Sequence, residues 1–512
     1  MRSARSALLV LWILVVPTVA VAAPYGEPIQ INPTATSNLA GLDVAAAGNG
    51  DVIVLWQTGP QGTGTGVIQR YDAAGRPLLA QETSAGAGAF AVAAGPSGSY
   101  AVLSRLSNGS GFDLFVTVFN RSGGVLVPAL RVNDPSTPNT LFGPAAIAMN
   151  ASGQFVVAWG APLTAGGLAY FLYAKRFNAN GSAVAPQVLV HSGSLGSASS
   201  ERIASADVAL DTAGNFVVAF DFGDFFAIDL YNVFARRFNA SAQALGPTIQ
   251  VNTTTPGDQQ SSQIAMNGAG SYVIVWHGPP PGGSGDTVFG QRFSAAGSPL
   301  GGEFQLTTAV SSSIEGLGVA MAPDGSFVAS WQDDTFAPFG QIVVREYTSA
   351  GTPRAAPAAV SSMTNDFPFG GEIAMDPAGN YTIVWLQTHF DLTRFNPVFA
   401  RRYSTAGVAI QPIGNGQTAS PLSGAAGSWQ YFKLTVPPGQ STVDIFISGG
   451  TGDADLYTRW GALPTLTAWD GRPFLDGNNE GARMLNFPPG DWYIGINGFQ
   501  NYASLALQVS SH

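Results

Sequence analysis

The stretch GEPIQINPTATSN at residues 26–38 is written again, with few changes, as GPTIQVNTTTPGD at 246–258. The second occurrence closes a longer unit, whereas the first stands alone with no unit in front of it. The unit opens on a line with six close copies: DVAAAGNGDVIVLW ending at Trp56, AIAMNASGQFVVAW at Trp159, DVALDTAGNFVVAF at Phe220, QIAMNGAGSYVIVW at Trp276, GVAMAPDGSFVASW at Trp331 and EIAMDPAGNYTIVW at Trp385. A weaker copy, FAVAAGPSGSYAVLS, ends at Ser104. Turn glycines Gly50, Gly98, Gly153, Gly214, Gly270, Gly325 and Gly379 mark the copies at spacings of 48 to 61 residues. There are seven units.

After each such line comes a gap of variable length and then a second line, as in VIQRYDAAG, YAKRFNANG, FARRFNASA, FGQRFSAAG, VREYTSAG and FARRYSTAG, with the weaker VTVFNRSG in the second unit. Most copies end in a short apolar run closed by Asn or Thr, such as LRVN (130–133), IQVN (249–252) and FQLT (304–307). Val, Ile, Phe and Tyr fill the runs and Asx/Gly turns bound them, so each unit reads as four short β-strands. Helical periodicity is absent. Units of about fifty residues with four antiparallel strands are blades of a β-propeller. The seventh unit runs through FARRY and stops near Ile413 without its fourth strand. The orphan EPIQIN at 27–32 can supply that strand, which predicts a closed ring with both of its chain ends in one blade. The alternative is an open solenoid of sandwiches.

The chain has 512 residues, 46% of them hydrophobic and 11% charged, with Gly 63, Pro 34 and Cys 0. That length accommodates more than one domain with a large core and no disulfides. A formal net charge of −10 argues against nucleic acid or anionic lipid as partners. The start, MRSARSALLVLWILVVPTVAVAAP, carries two arginines, an apolar run and small residues at Ala20, Ala22 and Ala23, the pattern of a cleavable secretory leader over residues 1–22. A membrane anchor is the competing reading. No later segment is long and apolar enough to span a bilayer. The expected address is secreted, cell-surface or periplasmic.

NGQTASPLSGAAG (414–426) reads as a linker and domain entry, and after it the repeat ends. Alternating runs such as VDIFIS and WYIGING, separated by Pro-Gly and Gly-Asp turns, predict a β-sandwich over 427–512. The fold class is thus all-β: a seven-bladed β-propeller at 26–413, its N-terminal strand closing the last blade, followed by a small β-sandwich. The repeat phrase resembles repeats of secreted bacterial surface proteins. GGTGDADLYTRWG (449–461), DGRPFLDGNNE (470–480) and PPGDWYIGINGF (488–499) resemble the bacterial pre-peptidase C-terminal domain. That family accompanies secreted proteases and is related to collagen-binding modules that hold calcium. It often carries Cys where this chain has Gly471 and Ala482; losing both together removes a disulfide and implies a less restrained loop.

Hydrolytic motifs are missing: none of the four His lies in H-E-x-x-H, no Cys exists, and no Ser stands in G-x-S-x-G. A triad from distant residues stays open as an alternative. The second connection of each unit varies from copy to copy, and variable loops on a rigid scaffold are where binding is placed. Those loops carry Asp221, Asp224, Phe225, Phe226, Asp286, Asp333, Asp334, Phe336, Phe339, His389, Phe390 and Asp391. Aromatic faces stack on sugars and carboxylates accept hydroxyl hydrogen bonds; equally, these side chains can fill the blade tops. The recurring arginines (Arg70, Arg176, Arg237, Arg292, Arg402) are expected to pair across blades, and the recurring tryptophans to pack between them. In the tail, Asp453, Asp455, Asp470, Asp476 and Glu480 form an oxygen-rich set suited to calcium, or to turn capping. Calcium is the one cofactor these residues suggest. The sequence reads as an exported, monomeric, non-catalytic protein that recognises extracellular polysaccharide or a surface protein. A hydrolase or lyase with carboxylates converging at the ring mouth, and a structural surface protein, are the alternatives.

Overall fold

The computed structural model describes residues 23–512 apart from 25–27, 33–38, 60–63, 74, 76, 79–82, 110, 138–142, 163–168, 194–200, 225–230, 309, 336–339, 362–366, 389–395, 405–409, 425–427, 441, 462, 465–468, 474 and 486–487. The leader expected at 1–22 therefore lies outside the described residues.

Seven antiparallel sheets follow one another along the chain: six have four strands side by side in sequence order, and the seventh has three such strands with Ala23–Pro24 and Ile29–Gln30 from the N-terminal end paired to its last one. Blade 1 runs from Leu39 to Ala87 and blade 2 from Ala89 to Arg131. Blades 3, 4 and 5 start at Ala145, Glu201 and Gln260. Blades 6 and 7 start at Ile314 and Phe367. First strands of neighbouring blades lie side by side around the centre, and that of blade 7 meets that of blade 1. The ring is closed.

Its closure is made by the N-terminal strand. Ile29 pairs with Ala400 and Gln30 with Phe399, and the Ile31 amide donates to the Val398 carbonyl at 2.9 Å. Asn32, 1% exposed, accepts the Val398 amide on its side-chain oxygen at 2.7 Å. The interior blades repeat this geometry: Asn133 accepts the Leu114 amide at 2.8 Å and Asn252 the Val233 amide at 2.9 Å. The Asn that ends each phrase is thus a side-chain acceptor continuing the ladder past its last backbone bond.

The repeated letters have matching physical jobs. Each turn glycine has φ between 75° and 91°, a region closed to residues with a Cβ. Six blades stack the aromatic at the start of the second strand on the one at the end of the third, from Tyr381–Tyr403 at 4.5 Å to Tyr100–Phe119 at 5.1 Å. Trp56, Trp159, Trp276, Trp331 and Trp385 are all at most 1% exposed. Each joins a cluster shared with the preceding blade, and every one of the seven interfaces has such a cluster. Between blades, five arginines clasp the neighbouring turn. Arg70 donates to the Arg121 carbonyl, Arg176 to Ala240 at 2.6 Å, and Arg237 to Ala295 at 2.5 Å and to Ala296. Arg292 donates to Ser349 at 2.6 Å, and Arg402 to Asp72 and Ala73 at 3.1 and 2.9 Å.

The tail is two facing four-stranded sheets. One orders 410–412, 429–436, 490–498 and 454–460; the other orders 418–424, 502–511, 442–448 and 480–485. Their core includes Phe432, Val443, Ile445, Leu456, Ile494, Ile496, Leu505 and Leu507. Residues 410–412, expected in the propeller, pair within the tail, and the stretch expected as linker and domain entry at 414–426 contains a tail strand at 418–424. Ile410–Pro412 pairs in parallel with Tyr431–Lys433, and Thr418–Gly424 pairs with the last strand. As edge strands they bury little, Leu422 being inside while Thr418 and Ser420 face out, so they lack the apolar alternation by which inner strands are recognised.

Candidate functional site

One face of the ring carries the tight first and third turns, and the other carries the second connections. These range from four residues between Ser107 and Phe112 to nine between Thr388 and Val398. They are shorter than the sequence suggests because the ladders run on into them. Blade 4 stays paired to Gly223, and blade 6 to Asp333. Of the loop residues singled out above, Phe225, Phe226, Phe336, Phe339, His389, Phe390 and Asp391 lie outside the described residues.

The described acids are engaged with the protein itself. Asp221 is fully enclosed. Its carboxylate takes the Ser205 hydroxyl at 2.5 Å and the Ser262 amide of the next blade at 3.2 Å. Burial pushes its carboxyl above the usual range, while the Ser205 and Ser262 donors pull it back. Asp286 meets His277 Nδ1 at 2.8 Å and accepts the Ile314 amide at the entry of blade 6 at 3.2 Å. Asp334 accepts the hydroxyls of Ser311 and Ser312 at that same entry. Asp333, 5% exposed, takes the Trp331 indole N–H at 3.1 Å and the Thr335 hydroxyl at 2.6 Å. Asp224 ends its strand opposite Glu201. Asp221 and Asp286 tie blade to blade and Asp333 fixes an interior Trp, so these acids hold the platform rigid.

A second acid set lies on the first strands, seven residues before the turn glycine: Asp43 in blade 1, Asp207 in blade 4 and Glu372 in blade 7. Its signal in the sequence is the acid that begins DVAAAGNG, DVALDTAG and EIAMDPAG. Asp43 bridges two blades, accepting the Val44 amide at 2.8 Å and the Val92 amide at 2.7 Å. Asp207 does the same with Val208 and Ile264, at 2.7 and 3.0 Å. Burial pushes their carboxyls up to about 7 and about 6. Burial, and then the charges of Asp43 and Asp207, push Glu372 up to about 8. Glu372 is thus the carboxyl held highest of the three, with the charges of the other two adding to the effect of its burial.

In the tail the oxygen-rich set does not converge. Asp455 is paired with Arg472 at 2.9 Å. Both oxygens of Glu480 accept backbone amides, from Leu456 at 2.6 Å and Leu475 at 2.8 Å. Asp453 accepts the Gly477 amide at 3.1 Å and Asp470 the Trp460 amide at 2.8 Å, while Asp476 is exposed. Among the described residues no three His, Cys, Asp or Glu gather as metal ligands. In this arrangement a guanidinium meets Asp455 and backbone N–H groups meet Asp453, Asp470 and Glu480, so these four act as an ion pair and as turn caps. Positions 471 and 482 are adjacent, a Cβ built on Gly471 lying 3.7 Å from that of Ala482. That is the separation of a disulfide pair.

Residues 430–498 match the family model described as the bacterial pre-peptidase C-terminal domain. Over 97 residues the chain is 43% identical to alkaline serine exoprotease A of Vibrio alginolyticus, covering 19% of this chain and 18% of that protein. A zinc metalloprotease of Helicobacter pylori is 34% identical over 110 residues, 21% of this chain and 43% of that one. This chain thus spans less than half the length of either relative, and the matches cover about a fifth of it. Among solved structures, the β-propeller domain of the Trilobed protease from Pyrococcus furiosus aligns at a TM-score of 0.41 and 9% identity, over 72% of this chain and 96% of that one. Among the described residues no helix is long and apolar enough to cross a membrane.

Proposed function

We propose that this chain is an exported, non-catalytic recognition protein that binds extracellular polysaccharide or a surface protein through the second connections of its blades. The pre-peptidase C-terminal domain serves targeting or attachment, and the leader at 1–22 is removed on export. One observation carries the reading. The acids described on that face brace the ring, leaving connections of differing length on a rigid frame, the arrangement by which binding surfaces are varied without refolding the scaffold. Screening the full-length protein on glycan and matrix-protein arrays, with and without calcium, tests it; silence on both arrays in both conditions would sink it.

The first-strand acids favour a second reading, a hydrolase or lyase using Asp43, Asp207 and Glu372. Glycoside cleavage uses two carboxyl groups held roughly 5–10 Å apart, one of them protonated, and a raised Glu372 suits the acid. Against it, Asp43 and Asp207 each hold two backbone amides. Release of reducing ends from a polysaccharide panel, abolished by Glu372→Gln, would establish this reading in place of the first.

A further inference from the structure

The blade interfaces differ at their tight-turn face. At five of them an arginine clasps the next blade's turn, and the Arg70 guanidinium lies 5.5 Å from the ring centre of Tyr100, the aromatic that starts the next blade's second strand; the cleft there still holds a cavity of about 690 Å³, with the arginine in its wall. In blade 6 the register position of those arginines, opposite Val328, is Glu346. The cleft between blades 6 and 7 holds a cavity of about 380 Å³. Glu346 lines it together with Asp324, Ser326, Arg354 and Tyr381. Tyr381 occupies the place that Tyr100 has beside Arg70, and its hydroxyl donates to Glu346 at 2.9 Å.

Blade 6 has exchanged a pair. In blades 1, 4 and 5 the clasp arginine's carbonyl accepts the amide of a leucine, Leu78, Leu245 or Leu300. In blade 6 the Glu346 carbonyl accepts the amide of Arg354. The Arg354 guanidinium stands 3.7 Å from the Glu346 carboxylate, and Asp324 adds a second acid. The cleft keeps a tyrosine at the same position, here 3% exposed, and carries an acid where five other blades carry the clasp arginine.

We propose that the cleft between blades 6 and 7 binds the guanidinium of an arginine carried by a polypeptide partner. The guanidinium enters the cavity with its donors toward Glu346 and Asp324. A guanidinium presents planar donors that match carboxylates, and an ammonium matches them less well. Arg354 neutralises Glu346 in the open cleft and must share it with the newcomer, so a single side chain binds in the millimolar range. The site is on the face opposite the second connections, and its failure would leave the loop-face reading untouched.

The test titrates the full-length protein with acetyl-arginine amide, followed by NMR, against acetyl-citrulline amide as the neutral isostere. Saturable millimolar binding of the arginine compound, at least about tenfold tighter than the citrulline compound, is expected. Glu346→Arg combined with Arg354→Leu restores the residue pair of blades 1, 4 and 5. It should fold, melt no lower than the parent and lose the binding; Glu346→Gln alone should weaken it at least about tenfold. Equal binding of citrulline, undiminished binding by either variant, or no saturation below roughly 0.1 M would overturn the proposal.

Discussion

Replacing Asn32 by alanine removes the acceptor that holds the Val398 amide across the seam of the ring. The residues are 1% and 0% exposed, and the bond is 2.7 Å long. The amide would be left buried and unpaired, at a cost of about 1–3 kcal/mol. The weaker bond from the Asn32 amide to the Asn396 carbonyl, at 3.3 Å, is lost with it. Asn252 supplies an internal control, because it holds the Val233 amide in blade 4 in the same way at 2.9 Å, within an uninterrupted stretch of chain. If the N-terminal strand is as firmly seated as an interior one, the two alanine variants lose similar stability. Amide exchange reads this residue by residue. Protection of Val398 should fall roughly 5- to 150-fold in the first variant, and protection of Val233 by a like factor in the second. An Asn252→Ala variant that loses protection beside an Asn32→Ala variant that loses none would show the N-terminal strand to be frayed, and closure by that strand would be refuted.

Other perturbations probe separate parts. Asp221→Ala should destabilise the propeller by about 1–3 kcal/mol in urea, through Ser205 and Ser262, while ligand binding per folded molecule stays unchanged; lost binding at full stability would return Asp221 to the recognition surface. Glu372 keeps its proton in the fold to about pH 8 but releases it near 4.5 when unfolded, so its contribution to stability falls as pH rises through that window. Glu372→Gln should leave the urea midpoint unchanged near pH 4 and raise it at pH 8.5, and a pH-independent difference would contradict the assignment. Gly471→Cys with Ala482→Cys should form a disulfide closing a loop of about a dozen residues, worth roughly 3 kcal/mol in the chain-entropy account. The Thr458 hydroxyl, 2.6 Å from the new Cβ, must rotate away, and a melting point indifferent to reductant would show that it does not.

Much of the architecture was legible because a propeller is local repetition. A turn glycine, an aromatic two residues later and a Trp at the strand's end each make contacts within one blade or with its neighbour, so seven copies of the phrase spell seven blades. The incomplete seventh unit and the orphan IQIN fitted together for the same reason, each lacking what the other carries. The tail was recognisable through its Gly-Asp and Pro-Gly turns, apart from its two edge strands, which bury one side chain where inner strands bury several. The break in the arginine series at Glu346 was also in the letters, but its consequence was not.

Sequence alone determined the number of blades, closure and the pairing of Arg with a neighbouring blade, all of which follow from periodicity. Tertiary structure decided what each acid does. An Asp reads the same whether it faces a ligand, caps a turn or bridges two blades. Only the placement of Ser262 beside Asp221, of Arg472 beside Asp455 and of Val92 beside Asp43 distinguishes these roles. Those partners come from distant parts of the chain, and a carboxylate's charge state and use depend on what surrounds it rather than on its neighbours in sequence.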